Sequence, residues 1–198
     1  MVKRFTPILA LVAVCWLAFI ANNLLWAGHL NRYGIIPRHA ASLPGILWAP
    51  FLHASLKHLA ANTLPLLILG GVICARSRSE FALVTMAGIL VAGGLTWVFG
   101  RPASHIGASG LIFCFFGYLV SIAWFRRTFG TLVLSALCLL AYGGMLRGIV
   151  PTSSPISWEG HVAGLVAGIA LAWLSVKMDR PRSRLEVQPV GITGTLRR

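Results

Sequence analysis

Ser109 stands between glycines in Gly107-Ala108-Ser109-Gly110, at the head of an apolar run from Leu111 to Phe125. A hydroxyl at the start of a membrane-length helix meets free backbone N–H groups and the positive end of the helix dipole. That setting favours developing negative charge, which an acyl-transfer nucleophile and its oxyanion require. The competing reading is an N-capping serine whose small neighbours serve helix packing. Three other residues of suitable chemistry stand on separate apolar runs: His58 with Asn62, and His161. His58 and Asn62 are four apart and so share a helix face.

The elements that carry them are membrane spans. The chain has 198 residues, 57% hydrophobic and 11% charged, with a mean hydropathy of +0.81. A soluble domain of this length has no interior for so much apolar sequence, so an all-α membrane protein is expected. The formal charge of +13 comes from 17 Lys and Arg against four acids, Glu80, Glu159, Asp179 and Glu186. The basic residues sit in short clusters between apolar runs, the pattern of cytoplasmic loops facing anionic headgroups rather than nucleic acid. Cys15, Cys74, Cys114 and Cys138 all fall inside apolar runs, with neither metal-ligand spacing nor a disulfide framework. No metal or cofactor is expected.

Six spans are predicted, at about 6–26, 56–75, 81–99, 110–125, 128–145 and 161–176, forming one bundle over residues 1–176. The first run is too long for a signal peptide and lacks a cleavage site, so it counts as a span. Residues 28–55 form a polar, proline-punctuated loop, and Trp26 and Trp48 place it partly in the membrane surface. Residues 177–198 are predicted to be a basic, disordered cytoplasmic tail. With the N-terminus inside, twelve basic residues lie on the cytoplasmic side and five on the outer side, namely Arg32, Arg38, Lys57, Arg101 and Arg147. Both termini are therefore expected to be cytoplasmic.

The basic clusters also work as rulers. Ser109 lies 17 residues before Arg126, His161 lies 16 before Lys177, and His58 and Asn62 lie 18 and 14 before Arg76. At about 1.5 Å per residue, all four stand roughly 21–27 Å above the cytoplasmic interface, somewhat below the outer surface. Polar groups at that depth are costly unless they face one another or a wet cavity. Gly160, Gly164 and Gly168 form a small-residue strip, and Gly110 and Gly117 form another on the serine helix. Close packing of the two strips would bring the His161 imidazole within hydrogen-bond reach of Ser109, with the Phe113 ring against it.

Taken together, Gly-Ala-Ser-Gly, His58 with Asn62, and His161 in Glu-Gly-His-Val-Ala-Gly-Leu-Val-Ala-Gly resemble the rhomboid intramembrane serine proteases. Order, spacing and topology are similar across residues 5–176. The resemblance implies a six-helix rhomboid-like bundle and a Ser–His dyad, with Ser109 as nucleophile and His161 as general base. It implies an oxyanion site from His58, Asn62 and the Ser109 backbone N–H, and His53 matches a further histidine common in that region. It also implies a single-span membrane protein substrate with a small residue at the cleavage point. Two positions depart from the pattern. Phe113 stands where many members carry tyrosine, and Trp48-Ala49 stands where many bacterial members carry Trp-Arg.

Other readings remain. His161 alone suits a helix-start histidine bonded to a carbonyl, and His58 with Asn62 suits polar glue between helices. His29, His39 and His105 read as loop residues without chemistry. Glu159 stands two residues from His161 and so points away from it on a helix, which argues against a Ser–His–Glu triad. Alternatives in function are a polar-lined transporter, a metal site on His53, His58 and His161, and a catalytically inactive rhomboid-like binding protein. Against a transporter, no acid is predicted within a span. The conjunction favours a serine endopeptidase in the bacterial inner membrane, open to the outer side. The fifth span, with Gly130 and Gly143-Gly144, is the expected mobile side of the substrate route.

Overall fold

Hydroxyl side chains fix where several helices begin. The computed structural model of the protein describes residues 2–152 and 156–179. Helix α1 is Val2–Trp26 and a single turn, α2, is Gly45–Trp48. Ser55 accepts from the His58 N–H to cap α3, Leu56–Arg76. Ser77 ends α3 and caps α4, Arg78–Phe99, by accepting from the Glu80 N–H. Helix α5 is Ser109–Arg126, and Arg127 closes it in the left-handed region at φ 53°. Thr128 and Thr131 cap α6, Phe129–Tyr142, reciprocally. Helix α7 is Trp158–Asp179.

Six of these segments among the described residues are long and apolar enough to cross a membrane, counting α6 with its continuation to Ile149. The chain is a multi-pass integral membrane protein, and among the described residues no strand forms beyond one antiparallel backbone bridge, Ile35 to His105.

Several boundaries differ from the sequence-based expectation. The fifth helix ends at Tyr142 rather than 145, and Gly143–Ile149 continues it as a 3₁₀ stretch. Gly143 and Gly144 are poor helix formers, which accounts for the change of winding. Helix α7 begins three residues early, so Glu159 lies in its first turn, and Glu80 lies likewise in the first turn of α4. Acids therefore do occur within spans, at their ends, and each has a basic partner: Arg76 for Glu80 and Arg101 for Glu159. At the other end, Lys177, Met178 and Asp179 continue α7, and the remainder of the expected tail lies outside the described residues.

Helix α5 is the axis of the bundle. It is apolar on every side, and Phe115, Phe116, Tyr118, Leu119 and Ile122 along it are almost wholly buried. Helix α7 lies directly on it through glycines. A Cβ on Gly164 would overlap the Gly110 carbonyl, one on Gly168 would overlap that of Cys114, and one on Gly117 would meet the Leu165 carbonyl at 2.7 Å. Helix α6 is held more lightly. Its buried residues are Thr131, Ser135 and Cys138, while Phe129 and Leu140 face outward at 82% and 85% exposure.

The first loop is compact. Buried Asn22 on α1 donates to Asn31 Oδ1 and accepts from the Leu30 N–H, and Asn31 Nδ2 donates to the His53 carbonyl. Arg38 donates to the carbonyls of Val98 and Gly100, and Trp97 Nε1 donates to that of His39. These bonds fasten the loop across the outer ends of α1 and α4. Trp26 and Trp48 remain about half exposed, as residues facing an interface would be.

Candidate active site

The glycine seam sets the separation of the two helices that carry Ser109 and His161. Ser109 is the first residue of α5, and the cap position belongs to Ala108, which makes no side-chain capping bond. Ser109 Oγ instead lies 2.9 Å from His161 Nε2. The other ring nitrogen, Nδ1, lies 2.8 Å from the Gly148 carbonyl. A carbonyl can only accept, so in the neutral ring Nδ1 carries the proton and Nε2 presents its lone pair to the serine hydroxyl. That is the tautomer a general base requires. Gly148 has no side chain to obstruct the approach, since a Cβ there would stand 3.0 Å from Nδ1.

Phe113 completes the seat of the imidazole, stacked on His161 and almost wholly buried. Glu159 does not reach the ring: its Oε1 meets Arg101 Nε at 3.2 Å. The group that orients His161 is a backbone oxygen, not a carboxylate.

His58 and Asn62 face the turn that precedes the serine. A Cβ on Gly107 would lie 2.6 Å from His58 Cε1 and 3.5 Å from Asn62 Nδ2, so both side chains approach the bare Cα of that residue. Gly107 also holds φ +113°, which L side chains rarely adopt. Asn62 Nδ2 is buried with no hydrogen-bond partner among the described residues. A buried donor left unmade is costly, which makes this amide an available donor beside the serine turn.

His53 stands behind the same turn. Its Nδ1–H donates to the Phe51 carbonyl at 3.3 Å, and Nε2 accepts from the Ala108 N–H at 3.5 Å. The ring meets that of His58 edge-on, centroids 5.0 Å apart. Burial, and then the His58 ring, pull its pKa down to about 4, against the Phe51 carbonyl that raises it. His53 is thus a neutral acceptor for one of the exposed N–H groups at the head of α5.

A cavity of about 50 Å³ adjoins Ser109, lined also by Gly107, Thr96, His105, Ser157 and Gly160. Of the histidines read as inert loop residues, His29 and His39 are exposed, but His105 is buried. Its ring contacts Ser157 Oγ at 2.6 Å and the Arg101 carbonyl at 3.0 Å. His105, Arg101 and the Gly148 carbonyl are not among the site groups expected from the sequence. Arg101 and His105 sit just before the serine motif, a position that could have marked them. No cluster of residues suited to a metal ion occurs among the described residues, and His53, His58 and His161 do not converge on one point.

The Rhomboid domain profile matches residues 41–178. An uncharacterized protein of Mycobacterium tuberculosis (strain ATCC 25618 / H37Rv) is 38% identical over 191 residues, 91% of this chain and 79% of the relative. The putative rhomboid protease YdcA of Bacillus subtilis (strain 168) is 28% identical, over 89% of this chain and 90% of its own. Rhomboid protease GlpG of Klebsiella pneumoniae (strain 342) is also 28% identical, over 88% of this chain and 64% of its own. With the domain matched over most of its length and a relative of this closeness aligned almost end to end, the chain belongs to the rhomboid family.

Proposed function

We propose that the protein is an intramembrane serine endopeptidase that cleaves single-span membrane proteins through a Ser109–His161 dyad. The observation that carries this reading is the 2.9 Å contact of Ser109 Oγ with a His161 ring whose other nitrogen is held by the Gly148 carbonyl. Ser109 Oγ attacks the scissile carbonyl and His161 Nε2 takes its proton, which it then delivers to the leaving amine. The tetrahedral oxyanion forms at the head of α5, where the Ser109 N–H, His58 and Asn62 Nδ2 are its donors. Water then attacks the acyl-enzyme with His161 again as base. The cavity beside Ser109 has room for a small side chain, in keeping with a small residue at the cleavage point. Helix α6, lightly held, is the side that moves to admit substrate.

The site opens to the outer face of a bacterial inner membrane, with both termini cytoplasmic. The twelve-to-five charge split and the mycobacterial and Bacillus relatives support that placement. Purified protein in liposomes with a single-span test substrate decides the activity. Ser109→Ala and His161→Ala should each abolish cleavage, the double variant should be no worse, and a chelator should change nothing. Turnover by Ser109→Ala would overturn the serine mechanism.

A further inference from the structure

The segment that delivers the nucleophile and the segment that delivers the base are bolted together away from the dyad. Arg101 sits two residues beyond the end of α4 and eight before Ser109. Its two terminal nitrogens donate to the carbonyls of Thr152, at 3.0 Å, and Ile156, at 2.6 Å. Its Nε pairs with Glu159 Oε1 at 3.2 Å, and its backbone N–H donates to the same oxygen at 3.4 Å. Glu159 is buried, and its Oε2 has no hydrogen-bond partner among the described residues. A planar guanidinium spreads its donors over three nitrogens and so meets three separated acceptors, whereas an ammonium offers its three donors from a single atom.

His105 makes a second bolt. The Arg101 carbonyl can only accept, so Nε2 carries the proton and Nδ1 accepts from the Ser157 hydroxyl. Ser157 Oγ in turn accepts from the Gly160 N–H in the first turn of α7. The contacts of Arg101 therefore bracket the approach to His161, from four residues beyond Gly148 to two residues before the histidine itself.

We propose that Arg101 is a positioning residue for the dyad: it holds Thr152 on one side and Ile156 and Glu159 on the other, so that the Gly148 carbonyl meets His161 Nδ1. The proposal rests on the protease reading for its effect on rate, but not for its effect on the imidazole. Losing the bolt leaves α7 on α5, because that contact is made backbone to backbone at Gly164 and Gly168. What is lost is the aim of the base. The expected defect is in kcat, with substrate binding preserved.

The test uses the full chain in liposomes, comparing Arg101→Ala, Arg101→Lys, Glu159→Gln and, as a control, Arg32→Ala. Arg32 is an exposed cation of the first loop whose guanidinium meets Tyr33. Arg101→Ala should lower kcat by about 10–10²-fold, the loss expected when a catalytic group is misaligned, with KM within about twofold. Labelling of Ser109 by a fluorophosphonate should slow in parallel. Arg101→Lys should recover part of the rate, Glu159→Gln should fall between the two arginine variants, and Arg32→Ala should match the wild type. The hydrogen-bonded Nδ1–H resonance of His161 should be present in wild type and Arg32→Ala and lost or broadened in Arg101→Ala. Should Arg101→Ala not fold, Arg101→Lys and Glu159→Gln carry the same measurements. A wild-type kcat together with an intact Nδ1–H resonance in the Arg101 variants would overturn the proposal. If the wild type neither cleaves nor labels, the protease reading falls, and the resonance still decides whether Arg101 positions His161.

Discussion

Phe113 and His161 lie face to face, ring centroids 4.3 Å apart and planes 12° from parallel. The phenyl ring fixes the tilt of the imidazole while the Gly148 carbonyl fixes its rotation. Stacked aromatic pairs contribute roughly 0.5–1.5 kcal/mol beyond area burial, equivalent to about 2–10-fold in rate if the contact aligns the base. Phe113→Leu keeps the bulk and removes the ring, so kcat should fall by that factor with KM little changed. Phe113→Tyr should retain the wild-type rate. Equal kcat for Phe113→Leu and wild type would make the ring a filler only.

Asn62 supplies a buried amide nitrogen that has no hydrogen-bond partner among the described residues. Removing one oxyanion donor from a soluble serine protease costs about 10²–10³ in turnover. Here His58 and the Ser109 N–H remain, and water can partly replace the amide. Asn62→Ala should therefore keep weak activity, lowered about 10–10²-fold and mainly in kcat, because the charge exists only in the transition state. A folded Asn62→Ala that cleaves at the wild-type rate would remove Asn62 from the site.

His53 gives the fold a dependence on acid. Its pKa is lowered from the ordinary 6.5 to about 4, so on acidification the unfolded chain takes up the proton first. The stability it contributes is complete above about 6.5 and is lost as pH falls towards and through 4. His53→Gln can accept from the Ala108 N–H but does not titrate. Melting temperatures in detergent between pH 7 and 4 should fall more steeply for wild type than for His53→Gln. Parallel curves would show that another group governs the acid response.

Orientation can be read with thiol chemistry, because Cys15, Cys74, Cys114 and Cys138 are all buried and should stay silent. Thr152 and Ser79 are exposed at opposite ends of the bundle. In right-side-out vesicles, an impermeant maleimide should label Thr152→Cys directly and Ser79→Cys only after permeabilisation. The reverse pattern would turn the protein over and place Ser109 near the cytoplasmic face.

What the sequence made legible was the part governed by constant geometry. A helix rises by the same amount at every residue, so counting from Arg76, Arg126 and Lys177 places His58, Asn62, Ser109 and His161 in one layer before any coordinates are known. Glycine spacing likewise forecast the α5–α7 seam. The loops obey no such ruler. His105 and Ser157 are 52 residues apart, as are Ser109 and His161, yet the loop pair carries no periodicity to announce it. The Gly148 carbonyl has no signature at all, since every residue has a carbonyl. Glu80 and Glu159 fell outside the predicted spans because a hydropathy run stops at a charge, whereas a helix continues through one when a partner is at hand.

Gly148 belongs to the stretch that continues α6, so the atom that aims the base rides on the same piece of chain that we propose admits the substrate. On that reading, gate and trigger are interlocked. A sideways excursion of α6 would then pull the carbonyl off the imidazole and disarm Ser109 for as long as the door stood ajar. Between them lie Gly143 and Gly144, where an added Cβ would touch nothing within 4 Å, which is the freedom a swivel needs.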